Sequence, residues 1–214
     1  MSPNTIPIFP LPTVVLFPNV FLPLHVFEPR YRQMVADALS GDRMIGMTLL
    51  REGVEPAPDE PPPVYAIGCA GVITQVERLA DGRFNLILRG VEKFHILGEE
   101  RPATGQLYRR AVVAPIDETV PEAERPSLAS ERRRLESQLA PLFDRARAAS
   151  FLPQAMPDAD LVNALAQYLE FDPVERQALL EQPGPLARCR AMMELLEVKA
   201  LLERHASGES GTVH

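Results

Sequence analysis

The sequence predicts an α+β protein: a small, partly open β-barrel with one early helix, followed by a helical bundle. Three observations lead there. Hydrophobic patterning changes near residue 120, from short β-like runs to long helical stripes. The 22 Pro residues form no repeat, so they mark many strand ends, turns and helix starts. Asp81-Gly82, between two apolar runs, is a hairpin signal.

Residues 6–9 read as the first strand, ended by Pro10 and Pro12. Apolar runs 14–17 and 20–24 are parted by Pro18-Asn19, and a residue without an N–H belongs at an edge or turn. Glu28-Pro29 opens a helix, with Pro29 at the favoured first position. Tyr31, Met34, Val35, Ala38 and Leu39 share its apolar face, and Gly41 ends it. Residues 44–50 are a strand. The Pro-rich, acidic stretch 52–63 reads as an exposed, mobile loop. Runs 64–67 and 71–79 lead to the hairpin and a returning strand, 83–89, in which Phe84, Leu86 and Leu88 face one way. Gly90 breaks that run, and 93–97 and 107–114 add two more strands.

Beyond an acidic, Pro-punctuated linker, Leu128, Leu135, Leu139, Leu142 and Phe143 make one helical stripe, kinked or divided by Pro141. Residues 160–169 form a second helix. Asp172-Pro173-Val174-Glu175 is a capping box and starts a third, short one that stops near Pro183-Gly184-Pro185. The last helix runs from about 186 to 205, with Cys189, Met192, Met193, Leu196 and Leu202 near one face. The expected division is therefore barrel 1–118, linker 119–126, bundle 127–205 and a disordered tail 206–214.

Composition bounds the function. Net charge is −7, and the one dense basic cluster, Arg132-Arg133-Arg134, lies between acids and reads as a solvated helix face. Neither nucleic acid nor membrane is expected as a partner. Cys69 and Cys189 sit in apolar patterns far apart and read as buried thiols in a reducing compartment. No apolar run reaches 18 residues and the N-terminus lacks a charged leader, so the expected location is cytoplasmic.

No catalytic signature is found. The patterns G-x-x-x-x-G-K-[ST], G-x-G-x-x-G and G-x-S-x-G are absent, and Lys93 and Lys199 have no Ser nearby in sequence. His25, His95, His205 and His214 lack metal-ligand spacing. No catalytic, metal or cofactor residue is assigned. The most interesting polar group is His25, Glu28 and Arg30, with Phe27 and Tyr31 among them, where the Pro-rich run meets the helix. As a functional group it would rim a peptide-binding groove. As a structural group, the favoured reading, Glu28 would accept the helix's first N–H groups and Arg30 would pair with a carboxylate.

Ile6-Pro7-Ile8-Phe9-Pro10-Leu11-Pro12, Val15-Leu16-Phe17-Pro18 and Leu22-Pro23-Leu24-His25-Val26-Phe27-Glu28-Pro29-Arg30-Tyr31 resemble the signature of the Lon substrate-binding domain family. Asp81-Gly82-Arg83, Leu88-Arg89-Gly90-Val91-Glu92-Lys93-Phe94 and the segment around Asp172 extend the resemblance over residues 5–203. It implies a PUA-like pseudo-barrel followed by a helical bundle, in a free-standing member without ATPase or protease domains. The implied role is non-catalytic polypeptide binding, as an adaptor or chaperone-like factor. The implied partners are unfolded or specific polypeptides, with a protease or ATPase. The partner-binding candidates are His25, Phe27, Glu28, Arg30 and Tyr31. Two alternatives stay open: an enzyme with a cleft at His25, Glu28 and Arg30, and an RNA-binding PUA-like module, against which the acidic charge speaks.

Overall fold

The computed structural model describes residues 4–54, 60–140 and 156–209. Its first part is a mixed six-stranded sheet: β1 (Asn4–Leu11), β2 (Phe21–Val26), β3 (Met44–Leu49), β4 (Ile67–Arg78), β5 (Phe84–Glu100) and β6 (Arg110–Ile116), in the order β2-β5-β4-β3-β1-β6. A further β5–β6 pairing joins the sheet to itself. The ring β5-β4-β3-β1-β6 is thus closed rather than partly open, and β2 lies beside the first half of β5. β1 runs parallel to β3 through residues 8–11 and antiparallel to β6 through residues 4–7.

Closure depends on β5, which at 17 residues is far longer than an ordinary strand. Register shifts leave Val91 and Leu97 as extra residues on β5, and Thr74 on β4. Such bulges bend a strand, so β5 can pair with β2 at its start and β6 at its end. Gly90 therefore does not break the run. It lets the strand pass close to the chain before β2, because a Cβ there would lie 2.0 Å from the Phe17 carbonyl oxygen. The Gly90 N–H donates to the Val20 carbonyl, and the Gly90 carbonyl accepts from Asn19.

Residues 14–17 form no strand, yet Val15, Leu16 and Phe17 are buried. Val64 makes only an isolated bridge with Leu50. The loop between is exposed on its described flanks, and residues 55–59 lie outside the described residues. The last barrel strand starts at Arg110, three residues later than the pattern predicts. In the core, Ile6, Ile8, Ala70, Phe94, Ala111 and Val113 pack together. Phe94 fits because Gly68 has no side chain: a Cβ there would come within 2.6 Å of both its ring and the Met47 carbonyl.

Helix α1 (Pro29–Leu39) buries Tyr31, Met34, Val35 and Ala38 as its spacing predicts. Glu28 caps it through the backbone, its carbonyl accepting from the Tyr31 and Arg32 N–H groups. The Glu28 side chain makes no cap bond, which corrects the structural reading on that point.

After a 3-10 turn at Glu122–Glu124 come α2 (Arg125–Leu139), α3 (Asp158–Tyr168), α4 (Pro173–Glu181) and α5 (Pro185–Glu209). The chain forms two compact units, Met1–Glu118 with Asn163–Glu181, and Thr119–Val162 with Gln182–His214. In the first unit, amide and phenol donors tie the helical segment to the sheet region. Asn163 Nδ2 donates to the Pro18 carbonyl at 3.1 Å, Gln167 Nε2 to Val15 at 2.9 Å, and Gln177 Nε2 to Ile67 at 3.0 Å. The buried Val15 and Pro18 carbonyls lie outside any ladder and need such partners. The capping box forms as predicted, the Asp172 N–H donating to Glu175 at 2.8 Å.

In the second unit, α2 buries Leu128, Leu135 and Leu139. Pro141, Leu142 and Phe143 lie outside the described residues. Arg132 is buried, contrary to the solvated face its neighbours imply. It pairs with Glu136 and Asp158, each at 2.8 Å, and donates to the Met156 carbonyl. Arg133 and Arg134 are exposed. On α5, Cys189, Met192 and Met193 are buried, but Leu202 is exposed. α5 continues through Glu209, past the predicted end at 205. Cys69 and Cys189 are both buried, and neither is in a disulfide.

Candidate functional site

Along β2, Phe21, Pro23 and His25 are exposed while Leu22, Leu24 and Val26 are more buried, the alternation of a strand with one solvent face. Register places Pro23 beside Ile87 and His25 beside Asn85 on β5, and these beside Gln75 and Glu77 on β4. The three strands frame an open depression of about 540 Å³.

A polar row crosses it. Asn85 Nδ2 donates to Glu77 at 3.0 Å, which leaves Asn85 Oδ1 to accept from His25 Nδ1 at 2.7 Å. His25 Nε2 is then the acceptor facing Arg83, at 3.4 Å. Arg83 is held by Asp81 at 2.6 Å. The Arg83 backbone N–H, then its guanidinium, hold the Asp81 carboxyl below its usual range.

The candidates from the sequence separate. Phe27 is 60% exposed and stacks beside His25, ring centroids 6.2 Å apart. Glu28 and Arg30 pair with each other at 2.8 Å on the surface, the carboxylate partner Arg30 is predicted to find. Tyr31 is buried, 4.2 Å from the Phe9 ring, and its hydroxyl donates to the Pro10 carbonyl at 3.2 Å. Burial pushes the Tyr31 phenol pKa up, and Arg30, lying over the ring, partly offsets this. The structure brings His25 and Phe27 onto one accessible face and places Tyr31 in the core.

Phe21, 51% exposed, is a surface aromatic the sequence reading passed over, although the alternation along β2 signals it. Tyr168 is another, for which no local signal exists. Its hydroxyl donates to the Phe21 carbonyl at 2.7 Å, across 147 positions of chain. This bond, with Pro23 lacking an N–H, blunts β2 as an edge for strand addition. Among the described residues no cluster of His, Cys, Asp or Glu could hold a metal ion, and no helix is long and apolar enough to cross a membrane.

The family model for the ATP-dependent protease La (LON) substrate-binding domain matches residues 5–198. The chain belongs to this family. It is 28% identical over 229 residues to the Lon protease of Dictyoglomus thermophilum, covering 97% of this chain and 27% of that protein. It is 30% identical over 186 residues to Lon protease 2 of Syntrophobacter fumaroxidans, covering 85% and 23%. The chain thus spans about a quarter of the length of these relatives. Two solved structures share the fold. The Lon N-terminal domain protein from Xanthomonas campestris superposes with a TM-score of 0.60 at 23% identity, covering 89% of this chain and 98% of that one. The N-terminal domain of the Mycobacterium avium complex Lon protease gives 0.69 at 16% identity, covering 91% and 98%. In this Lon substrate-binding domain the Pro-studded opening is largely scaffold: the carbonyls of Pro10, Val15, Pro18 and Phe21 each accept a side-chain hydrogen bond from a later helix.

Proposed function

We propose that this Lon-type domain is a non-catalytic polypeptide-binding module that works in the cytoplasm as an adaptor or chaperone-like factor with a protease or ATPase. Its contact surface is the outer face of β2, β5 and β4. The observation that carries this reading is the pair of exposed rings, Phe21 on β2 and Phe27 just past its end, on either side of His25 in the His25–Asn85–Glu77 row. Aromatic anchors bring large contact area at low entropic cost, and a few fixed polar groups orient a bound chain. The blunted β2 edge favours recognition across the face over strand addition. No observation favours the enzyme or RNA-binding readings.

The test is Phe21→Ser/Phe27→Ser. Binding of a permanently unfolded, carboxymethylated protein is followed by fluorescence anisotropy, with thermal unfolding as control. Affinity is expected to fall at least about tenfold, since an anchor residue is worth more than about 1 kcal/mol, while the melting temperature stays put. Unchanged affinity removes this surface, and no binding by the unaltered domain removes the function.

A further inference from the structure

A second, more enclosed cavity of about 370 Å³ opens at one end of the barrel. All five ring strands contribute to it. Ile6, Ala70, Phe94 and Val113, all core residues, line it together with Met44. Its charged lining is of one sign: Asp42, from the turn before β3, and Glu92, on β5, with neutral Asn4 beside them and no Lys or Arg among the described residues that line it. The bulge at Val91 sets Glu92 opposite Ala70 and so carries its carboxylate to this end of the barrel. Bulges commonly re-aim side chains beside binding sites, and barrel mouths are a frequent place for ligands. Asp42 accepts the Met44 N–H through Oδ1 at 3.0 Å, which fixes the carboxylate on the rim.

We infer that the barrel mouth is a pocket for one Lys or Arg side chain of a bound polypeptide. An aliphatic stem ending in a cation matches apolar walls under an acidic rim. The volume lies near the lower end of the usual range for ligand pockets, about 300–1,000 Å³, which suits a side chain rather than a folded element. The inference rests on the polypeptide-binding reading and names a class of segment for it: a basic residue flanked by apolar ones.

The experiment uses the full chain with methyl-labelled Ala, Val and Met, titrated with a capped Leu-Lys-Leu-containing peptide and its Leu-Glu-Leu counterpart. Expected are shifts at Ala70, Val113 and Met44, with at least about tenfold tighter binding of the Lys peptide, weakening with salt because the contact is electrostatic. Asp42→Asn/Glu92→Gln keeps an acceptor for the Met44 N–H, so it folds, and it should abolish most of that preference. Equal binding of the two peptides, or a preference unchanged in the variant, overturns the inference. Shifts confined to the β2 face overturn it and leave the polypeptide-binding reading standing. Shifts nowhere overturn both.

Discussion

Replacing Glu118 by Gln removes the carboxylate that faces Lys93 Nζ at 2.8 Å, where the two side chains are only 2% and 10% exposed. The ammonium would then stay buried opposite a neutral amide. Breaking a buried ion pair from one side costs about 3–5 kcal/mol, mostly because the remaining charge has lost its compensation. In a chain of this size each kcal/mol lowers the melting temperature by about 2–4 °C, so the expected drop is about 6–20 °C. Lys93→Met should cost a comparable amount by removing the cation that faces the Glu118 carboxylate at 2.8 Å. The double variant Lys93→Met/Glu118→Gln removes both charges, so it should be more stable than the two single losses added together. Circular dichroism melts and urea titrations of the four proteins complete the cycle. Single losses under about 1 kcal/mol, or strict additivity, would refute the idea that desolvated charge pairing holds this side of the barrel.

Gln167→Ala leaves the Val15 carbonyl without its 2.9 Å donor in a buried place, and should cost about 1–3 kcal/mol in urea unfolding. Gln75→Ala on the exposed face should change stability by less than about 0.5 kcal/mol, and similar costs for the two would contradict the assigned tie. Burial first, then the Glu131 charge, push the Cys189 thiol up to about 11 from 9.0. The folded chain therefore holds that proton more tightly than the unfolded one. Its contribution to stability is intact below pH 9 and is lost as pH rises from about 9 to about 11. Native-state alkylation of Cys189 at pH 8 should be at least about a hundredfold slower than in denaturant, read by mass spectrometry. Equal rates would show an accessible thiol.

Much of the fold is legible in local sequence because its signals act over a few residues. Pro29 fixes a helical φ where an N–H needs no partner, so it marks the start of α1. Glu175 can reach back to the Asp172 N–H from three positions away, so the start of α4 is readable too. Asp81-Gly82 is a turn whatever surrounds it, since Gly82 takes a φ of 83°. Of the surface, the exposed ring of Phe27 lies in a stretch that singles itself out, the mixed polar and aromatic junction before α1.

The rest depends on which distant residues arrive as neighbours. Arg132 and Arg133 are the same residue type on the same helix, yet only Arg132 meets Asp158 and leaves solvent. Tyr31 and Phe27 are both aromatic and four positions apart, but Tyr31 lies on the buried face of α1 against Phe9, while Phe27 follows β2 outside the helix and stays exposed. Gly90 looks like a strand breaker until the chain at Phe17 is placed against it. The sequence alone settles where elements begin, turn and change period, because those energies are local. Ring closure through β5, the Lys93–Glu118 pair, Tyr168 beside β2 and the acidic mouth at Asp42 and Glu92 belong to tertiary structure. Each is a pairing across tens of residues, and polarity alone does not say which partner packing will supply.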